Sequence, residues 1–378
     1  IVGILHIIVY LGFIIINIEL LEILIDGIFG THRIFAPFLG SFYNFLIGSF
    51  EIFALMVIVS VVIFLIRRNI IKIKRFWSDE MKGWPKTDAD VILYVEIALM
   101  SLFLTMNASD YWLQINSTNP IYIQAGSFPI SQFITPIFDS FTVETVIFIE
   151  RSAWWLHIIG IFLFLNYLYY SKHLHILLAF PNTYFANLES KGKFSNLKSV
   201  TDEVKLMLDP SADPYSNNTS NNEVLKFGAS DVFDLSKIQL LNSYTCTECG
   251  RCTSECPANQ TGKKLSPRKI MMDTRDRLEE VGKNIDKNNG EYKPDGKQLL
   301  NNHISSEELW ACTSCNACVQ ACPIGIDPLS IIMDMRRYLV MEQSAAPSEL
   351  NNMMSNIENN GAPWPFNQMD KLNWYNEN

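Results

Sequence analysis

The sequence predicts an all-α chain in two unlike parts: a membrane helical bundle, then a mostly α-helical domain that carries every cysteine. Three observations support this. Residues 1 to about 180 are dominated by Ile, Leu, Val and Phe, whereas residues 181 to 378 are polar. Four apolar stretches in the first part approach or exceed the roughly 20 residues a helix needs to cross a hydrocarbon core. The eight cysteines fall into two runs of one pattern, with none left over. A length of 378 residues allows two or three domains. The formal charge of −9 comes without a basic stripe, so no nucleic-acid partner is expected. The chain begins with Ile, which leaves room for an upstream segment with a further hydrophobic helix.

The apolar runs are about 2–24, 45–66, 91–107 and 153–171, the third being short and interrupted by Glu96. Arg67, Arg68, Lys72, Lys74 and Arg75 follow the second run, and Lys172 follows the fourth. Lys and Arg mark cytoplasmic flanks, so both of those ends are expected there. The 109–152 connection sets Asp110, Asp139, Glu144 and Glu150 against Arg151 alone, as an exported loop would. Its stretch 134–149 reads as an interfacial segment, because Pro136, Asp139 and Glu144 break its apolar patches. The fourth run then delivers the second part to the cytoplasm. Buried helices of a soluble protein are the alternative, and four in a row with so few charges argue against it.

The first cysteine run is Cys246, Cys249, Cys252 and Cys256, then Pro257; the second is Cys312, Cys315, Cys318 and Cys322, then Pro323. Each reads C-x2-C-x2-C-x3-C-P, the spacing with which bacterial ferredoxin-type segments hold [4Fe–4S] clusters. Three closely spaced thiolates wrap one cluster, and the fourth, before proline, reaches across to the other. Cys246, Cys249, Cys252 and Cys322 are therefore expected on one cluster, and Cys312, Cys315, Cys318 and Cys256 on its neighbour. Zinc ribbons favour paired C-x2-C motifs, and neither zinc nor a disulfide framework explains two identical runs ending in proline. The second part thus reads as a two-[4Fe–4S] ferredoxin-type domain, and with every thiol claimed it belongs in a reducing compartment.

Five of the six histidines lie in or beside the apolar part. His157 and His175 are 18 residues apart, five whole turns, so on one continuous helix they share a face at about 27 Å separation. That suits two b-type haems near opposite faces of a bilayer, each needing two axial imidazoles. His6 would pair with His175, and His32 with His157. His173 points to the other side of that helix and ranks below His175. Singly, His32 also fits a loop residue, and His173 and His175 fit lipid phosphates beside Lys172. Glu51 and Glu96, inside apolar runs, are placed to exchange protons with a quinone or to sit hydrogen-bonded within the bundle.

The expected domains are 1–180 in the membrane, a polar linker over 181–225, a cluster domain over 226–341 and a tail over 342–378. Asn217-Asn218-Thr219-Ser220-Asn221-Asn222 reads as a flexible connection. Between the cysteine runs, 266–281 and 305–311 are expected as helices and 282–302 as an exposed loop. Pro328 to Met341 is expected as a helix with Ile331, Ile332, Met335 and Leu339 on its apolar face. The tail, rich in Asn, Pro and Trp, reads as loosely structured and suited to lie along a partner.

The second part resembles the iron–sulfur subunit of heterodisulfide reductases and the anaerobic glycerol-3-phosphate dehydrogenase small subunit. The resemblance is carried by Phe227-Gly228-Ala229, Gln239-Leu240-Leu241, CTECGRCTSECPANQTGKKLSPRKI from Cys246, LWACTSCNACVQACPIGIDP and NIENNGAPWPF. The first part is similar to the cytochrome b subunit of respiratory nitrate reductases and membrane heterodisulfide reductases, through His157, Ser171-Lys172-His173-Leu174-His175 and Asn182. These families often add cysteine-rich CCG domains; this sequence shows none, which implies that such a domain would come from another polypeptide.

The expected function is that of a membrane-anchored electron-transfer subunit of a quinone-linked oxidoreductase. Electrons would pass between a menaquinone-type quinone, b haems, two clusters and a cytoplasmic subunit, at a bacterial or archaeal cytoplasmic membrane. No nucleotide loop or nucleophile–base pair marks an organic-substrate site. A membrane redox sensor or assembly factor, and a haem-free anchor for a soluble dehydrogenase, are the alternatives.

Overall fold

A computed structural model describes residues 2–190, 193–209 and 226–376. It divides into two units, Ile1–Leu174 and His175–Asn378. The Asn217–Asn222 stretch lies outside the described residues.

The first unit is four long helices, each apolar and long enough to cross a membrane: α1 (Val2–Phe29), α2 (Ser41–Leu65), α3 (Trp84–Asn116) and α4 (Val143–Leu168). α1 packs on α2, α2 on α3 and α3 on α4. Their shared interior includes Ile16, Ile47, Phe50, Phe103 and Ala153. Ile7, Leu55, Phe148 and Leu163 instead point outward, an apolar surface suited to lipid. Every helix is longer than its predicted run, since polar residues at the bundle ends still complete helical turns, although α2 and α4 stop at Leu65 and Leu168, short of the predicted 66 and 171. Glu96 does not interrupt α3, because its carboxylate is taken up inside the bundle. The 134–149 stretch is no single interfacial segment: a 3₁₀ turn covers Thr135–Ser140, and Val143 onward opens α4 behind the Thr142 cap.

The two ends of this bundle differ. At one, Asp88 near the start of α3 accepts hydrogen bonds from the Tyr167 hydroxyl (2.6 Å), the Ser171 hydroxyl (2.7 Å) and the Lys172 backbone N–H (3.1 Å). Arg68 pairs with Asp90 at 3.1 Å at that same end. At the other end, Arg33 sits among acidic groups.

The second unit opens with α5 (His175–Tyr184), then α6 (Lys198–Leu208), α7 (Lys237–Thr245), α8 (Pro267–Lys287), α9 (Pro328–Met341) and α10 (Ser348–Asn360). Its core joins Leu265, Ile270, Leu299, Leu309 and Ile331. Ser236 and Gln239 form a reciprocal capping box at α7. Ser266 caps α8 ahead of Pro267, and Asp327 caps α9 ahead of Pro328. All four apolar-face residues of α9 are buried.

Three expectations change here. α4 ends at Leu168, and a 3₁₀ turn over Lys172–Leu174 precedes α5, so His157 and His175 do not share one continuous helix. Residues 181–184 belong to α5, which packs on α7, and 198–208 are helical, so 181–225 is not linker throughout. The tail contains α10 and a 3₁₀ turn over Gln368–Leu372 rather than loose chain.

Candidate redox sites

The two cysteine loops are built alike. Glu248 and Gly250 in the first have φ of 57° and 72°; Ser314 and Asn316, at the matching positions of the second, have 54° and 59°. Non-glycine residues seldom adopt this region, so the repeat of both turns marks a common loop shape. Such turns aim backbone N–H groups inward, and the Ser314 N–H donates to the Cys312 sulfur at 3.4 Å. All eight thiols are free.

Their neighbours run crosswise between the loops. Cys322 interacts electrostatically with Cys249 and Cys252, and Cys256 with Cys312 and Cys318, while Cys252 also interacts with Cys318. Among the described residues, no three His, Cys, Asp or Glu side chains gather closely enough for a single metal ion. Burial pushes the Cys252 and Cys318 thiols up to about 12, so without metal they keep their protons and iron binding would release them. Cys246, Cys256 and Cys318 are buried, whereas Cys315 is exposed.

The surrounding structure explains several of the resemblance residues. Gly228, at φ +78°, lets its backbone pass α9 so closely that a Cβ would fall 2.2 Å from the Asp334 carbonyl oxygen. The Ala229 N–H donates to that same oxygen at 2.9 Å, and Gln239 donates to the Asp334 carboxylate at 2.8 Å. Asn182 donates to the Ile324 carbonyl at 2.9 Å, just past Cys322. Arg336 donates to the Leu309 carbonyl and lies over the Trp310 ring, supporting the entry to the second loop.

In the membrane unit, α1, α3 and α4, with Val57 of α2, line a cleft. Its lining is mostly apolar, with Glu19, Glu96, His157 and His173 as its ionisable members. His157 is buried, and its Nδ1 donates to the Leu99 carbonyl at 3.0 Å, which leaves Nε2 as the unprotonated nitrogen. Metal-binding histidines are commonly oriented by such a bond. His173 Nε2 lies 3.8 Å from Glu96. His157 and His173, the histidine ranked lower from helix periodicity, thus both line the cleft.

His32 lies elsewhere. Its Nε2 meets Asp110 at 2.9 Å, in a polar chamber shared with Arg33 and Glu150 and without His157. His32 and His157, expected as a pair, line different cavities. His6 lies on α1 and His175 opens α5, in different units. Glu51 accepts the Ile130 and Ser131 backbone N–H groups at 2.9 and 3.1 Å, so one of its oxygens anchors the loop after α3.

Sequence reasoning passed over the Arg33 network. Arg33 donates to Asp110 and Asn107, both at 2.9 Å, and to Glu19 and Tyr43, both at 3.3 Å. The available signal was Glu19, Glu22 and Asp26, spaced to share one face of α1.

Residues 245–326 match the family model of a 4Fe-4S dicluster domain. With the four membrane-length helices, this makes the chain a membrane-embedded iron–sulfur electron-transfer protein. It is related to heterodisulfide-reductase-type iron–sulfur subunits and to quinone oxidoreductases. One relative is the "Probable iron-sulfur-binding oxidoreductase FadF" of Bacillus subtilis, 28% identical over 99% of this chain and 52% of its own length. Another is the "EtfAB:quinone oxidoreductase" of Syntrophomonas wolfei, 27% identical over 76% of this chain and 40% of its own. A third, from the ferredoxin/F420H2-dependent CoB-CoM heterodisulfide reductase of Methanosarcina acetivorans, is 30% identical over 31% of this chain and 58% of its own. The chain spans about half the length of the first of these relatives and less of the second. No solved structure matches it.

Proposed function

We propose that this chain transfers electrons between a membrane quinone and a cytoplasmic partner, as a subunit of a quinone-linked oxidoreductase. The observation that carries the reading is the joining of two crosswise cysteine loops to a membrane bundle that holds an apolar cleft with few polar groups. Such a cleft suits a quinone ring. Cys246, Cys249, Cys252 and Cys322 would hold one [4Fe–4S] cluster, and Cys312, Cys315, Cys318 and Cys256 the other. Bound clusters supply one-electron transfer; the chain positions them and tunes their potentials through hydrogen bonds and burial. Exposed Cys315 favours the second loop as the side that meets the partner. The cationic flanks after α2 and α4 favour a cluster domain on the cytoplasmic face of a bacterial or archaeal membrane.

A second reading of the cleft is a b-type haem, favoured by the buried His157 with its oriented Nδ1–H and by His173 on the same lining. Of the other proposed ligands, His6 and His175 stay open to test, whereas His32 is engaged by Asp110.

The experiment is anaerobic purification of the chain, reduction by dithionite and addition of menadione. Menadiol formation together with about eight non-haem irons per chain is the expected result. A split α-band in the reduced spectrum would favour haem. Protein that holds both clusters and neither binds nor reduces menadione would overturn the quinone reading.

A further inference from the structure

Glu19, Glu22 and Asp26 stand at i, i+3 and i+7 on α1, so their carboxylates line one face over about 10 Å of helix axis. Asp26 is half-buried at the helix end, while Glu22 and Glu19 are 3% and 2% exposed. Both oxygens of Glu22 are used: one accepts the Phe35 N–H at 2.9 Å, the other the Tyr43 hydroxyl at 2.8 Å. Glu19 differs. One of its oxygens accepts from Arg33 at 3.3 Å, and the other, Oε2, is buried with no hydrogen-bond partner among the described residues.

Glu19 also lines two cavities. One is the apolar cleft; the other is the small polar chamber walled by Glu22, Asp26, Arg33 and Asp110. A buried carboxylate with a spare oxygen is costly inside an apolar span, and such positions are retained for function. A purely structural partner for Arg33 would need no access to the cleft, since Asp110 already pairs with Arg33 at 2.9 Å.

We propose that Glu19 carries protons between the polar chamber and a quinone bound in the cleft, so that the quinone exchanges protons with the membrane face at which Asp26 emerges. This rests on the quinone reading above and deepens it. Reduction of one quinone to quinol consumes two electrons, delivered from the reduced iron–sulfur domain, and two protons. In each transfer the Glu19 carboxyl O–H breaks as an O–H forms on a quinone carbonyl oxygen, and the carboxylate is reprotonated from the chamber. Quinol oxidation runs the same path in reverse. Arg33, Glu22 and Glu51 are among the charged groups that face Glu19, with Glu96, His157 and His173 on the cleft lining and Asp26 and Asp110 on that of the chamber. Arg33, which Asp110 also pairs, lies 3.3 Å from the carboxylate left after each transfer.

The test uses the full chain in lipid–detergent micelles, reduced by stoichiometric dithionite and mixed with menadione. Affinity for menadione is measured separately by equilibrium dialysis. Glu19→Gln is expected to slow menadiol formation roughly 100-fold, the scale of a lost proton-transfer group. Its menadione affinity should stay within about twofold, as for a group acting after binding. Glu19→Asp should recover most of the rate. A Glu19→Gln protein that reduces menadione at the wild-type rate overturns the route while leaving the quinone reading intact. If Glu19→Gln does not fold, Asp26→Asn decides: slower menadiol formation with affinity retained supports the route, and an unchanged rate overturns it. Wild-type protein that does not take up menadione overturns the quinone reading, and this inference with it.

Discussion

Asn182 reaches from α5 to the Ile324 carbonyl at 2.9 Å, two residues beyond Cys322. A helix that the sequence divided between the membrane part (to 180) and the linker (from 181) therefore braces the turn that presents the fourth cysteine of the second run. Asn182→Ala removes this donor from a half-buried carbonyl, at a cost of about 1 kcal/mol. The expected outcome is earlier loss of iron on mild heating, with the Cys246–Cys249–Cys252–Cys322 cluster failing first. Iron release followed alongside electron paramagnetic resonance of the two clusters checks this.

Cys256→Ser should damage the cluster of Cys312, Cys315 and Cys318 more than that of its own run, because Cys256 neighbours Cys312 and Cys318. Anaerobic redox titration of the variant separates the two signals. Selective loss of the first-run cluster would contradict the crosswise assignment.

Gly228→Ala places a methyl group 2.2 Å from the Asp334 carbonyl oxygen and 2.5 Å from the Tyr338 nitrogen, both backbone atoms of α9. Neither can rotate away, and φ at +78° adds strain of its own. Destabilisation on the order of 2 kcal/mol or more is expected, read as a lowered denaturation midpoint with clusters lost in the same transition.

His157→Ala tests the contents of the membrane cleft. With haem bound there, the variant should lose its α-band, and His173→Ala should do likewise, while His32→Ala should not, because that ring is held by Asp110. Visible spectra of the dithionite-reduced variants decide it. An α-band lost in His175→Ala and kept in His173→Ala would restore the ranking drawn from helix periodicity.

The proposed partner should depend on the C-terminal segment. α10 buries none of its side chains, and Met354, Ile357, Trp364 and Trp374 are all exposed. Truncation after Gln343 should keep both clusters, since the last cysteine is Cys322, yet lose the cytoplasmic subunit. Trp364→Ala should weaken the complex by about 2 kcal/mol if this ring is an anchor. Mass spectrometry of chains retained after gentle purification provides the readout.

Local chemistry in the sequence determined what repeats or persists along the chain. Membrane-length hydropathy located all four long helices, and the cysteine spacing located both loops, because neither depends on distant contacts. Periodicity likewise placed α9 and its buried face. Only the tertiary structure decided the rest. The break after Leu168 came from Asp88 on α3, which captures Tyr167, Ser171 and the Lys172 N–H, and this turned His173 into the cleft. His32 was taken by Asp110, which lies 78 residues away. Glu19, one acidic residue in an apolar helix, gained its meaning from Arg33 on one side and a cavity on the other. Partners chosen across the bundle depend on how helices pack, and side-chain spacing along one helix carries no record of that choice.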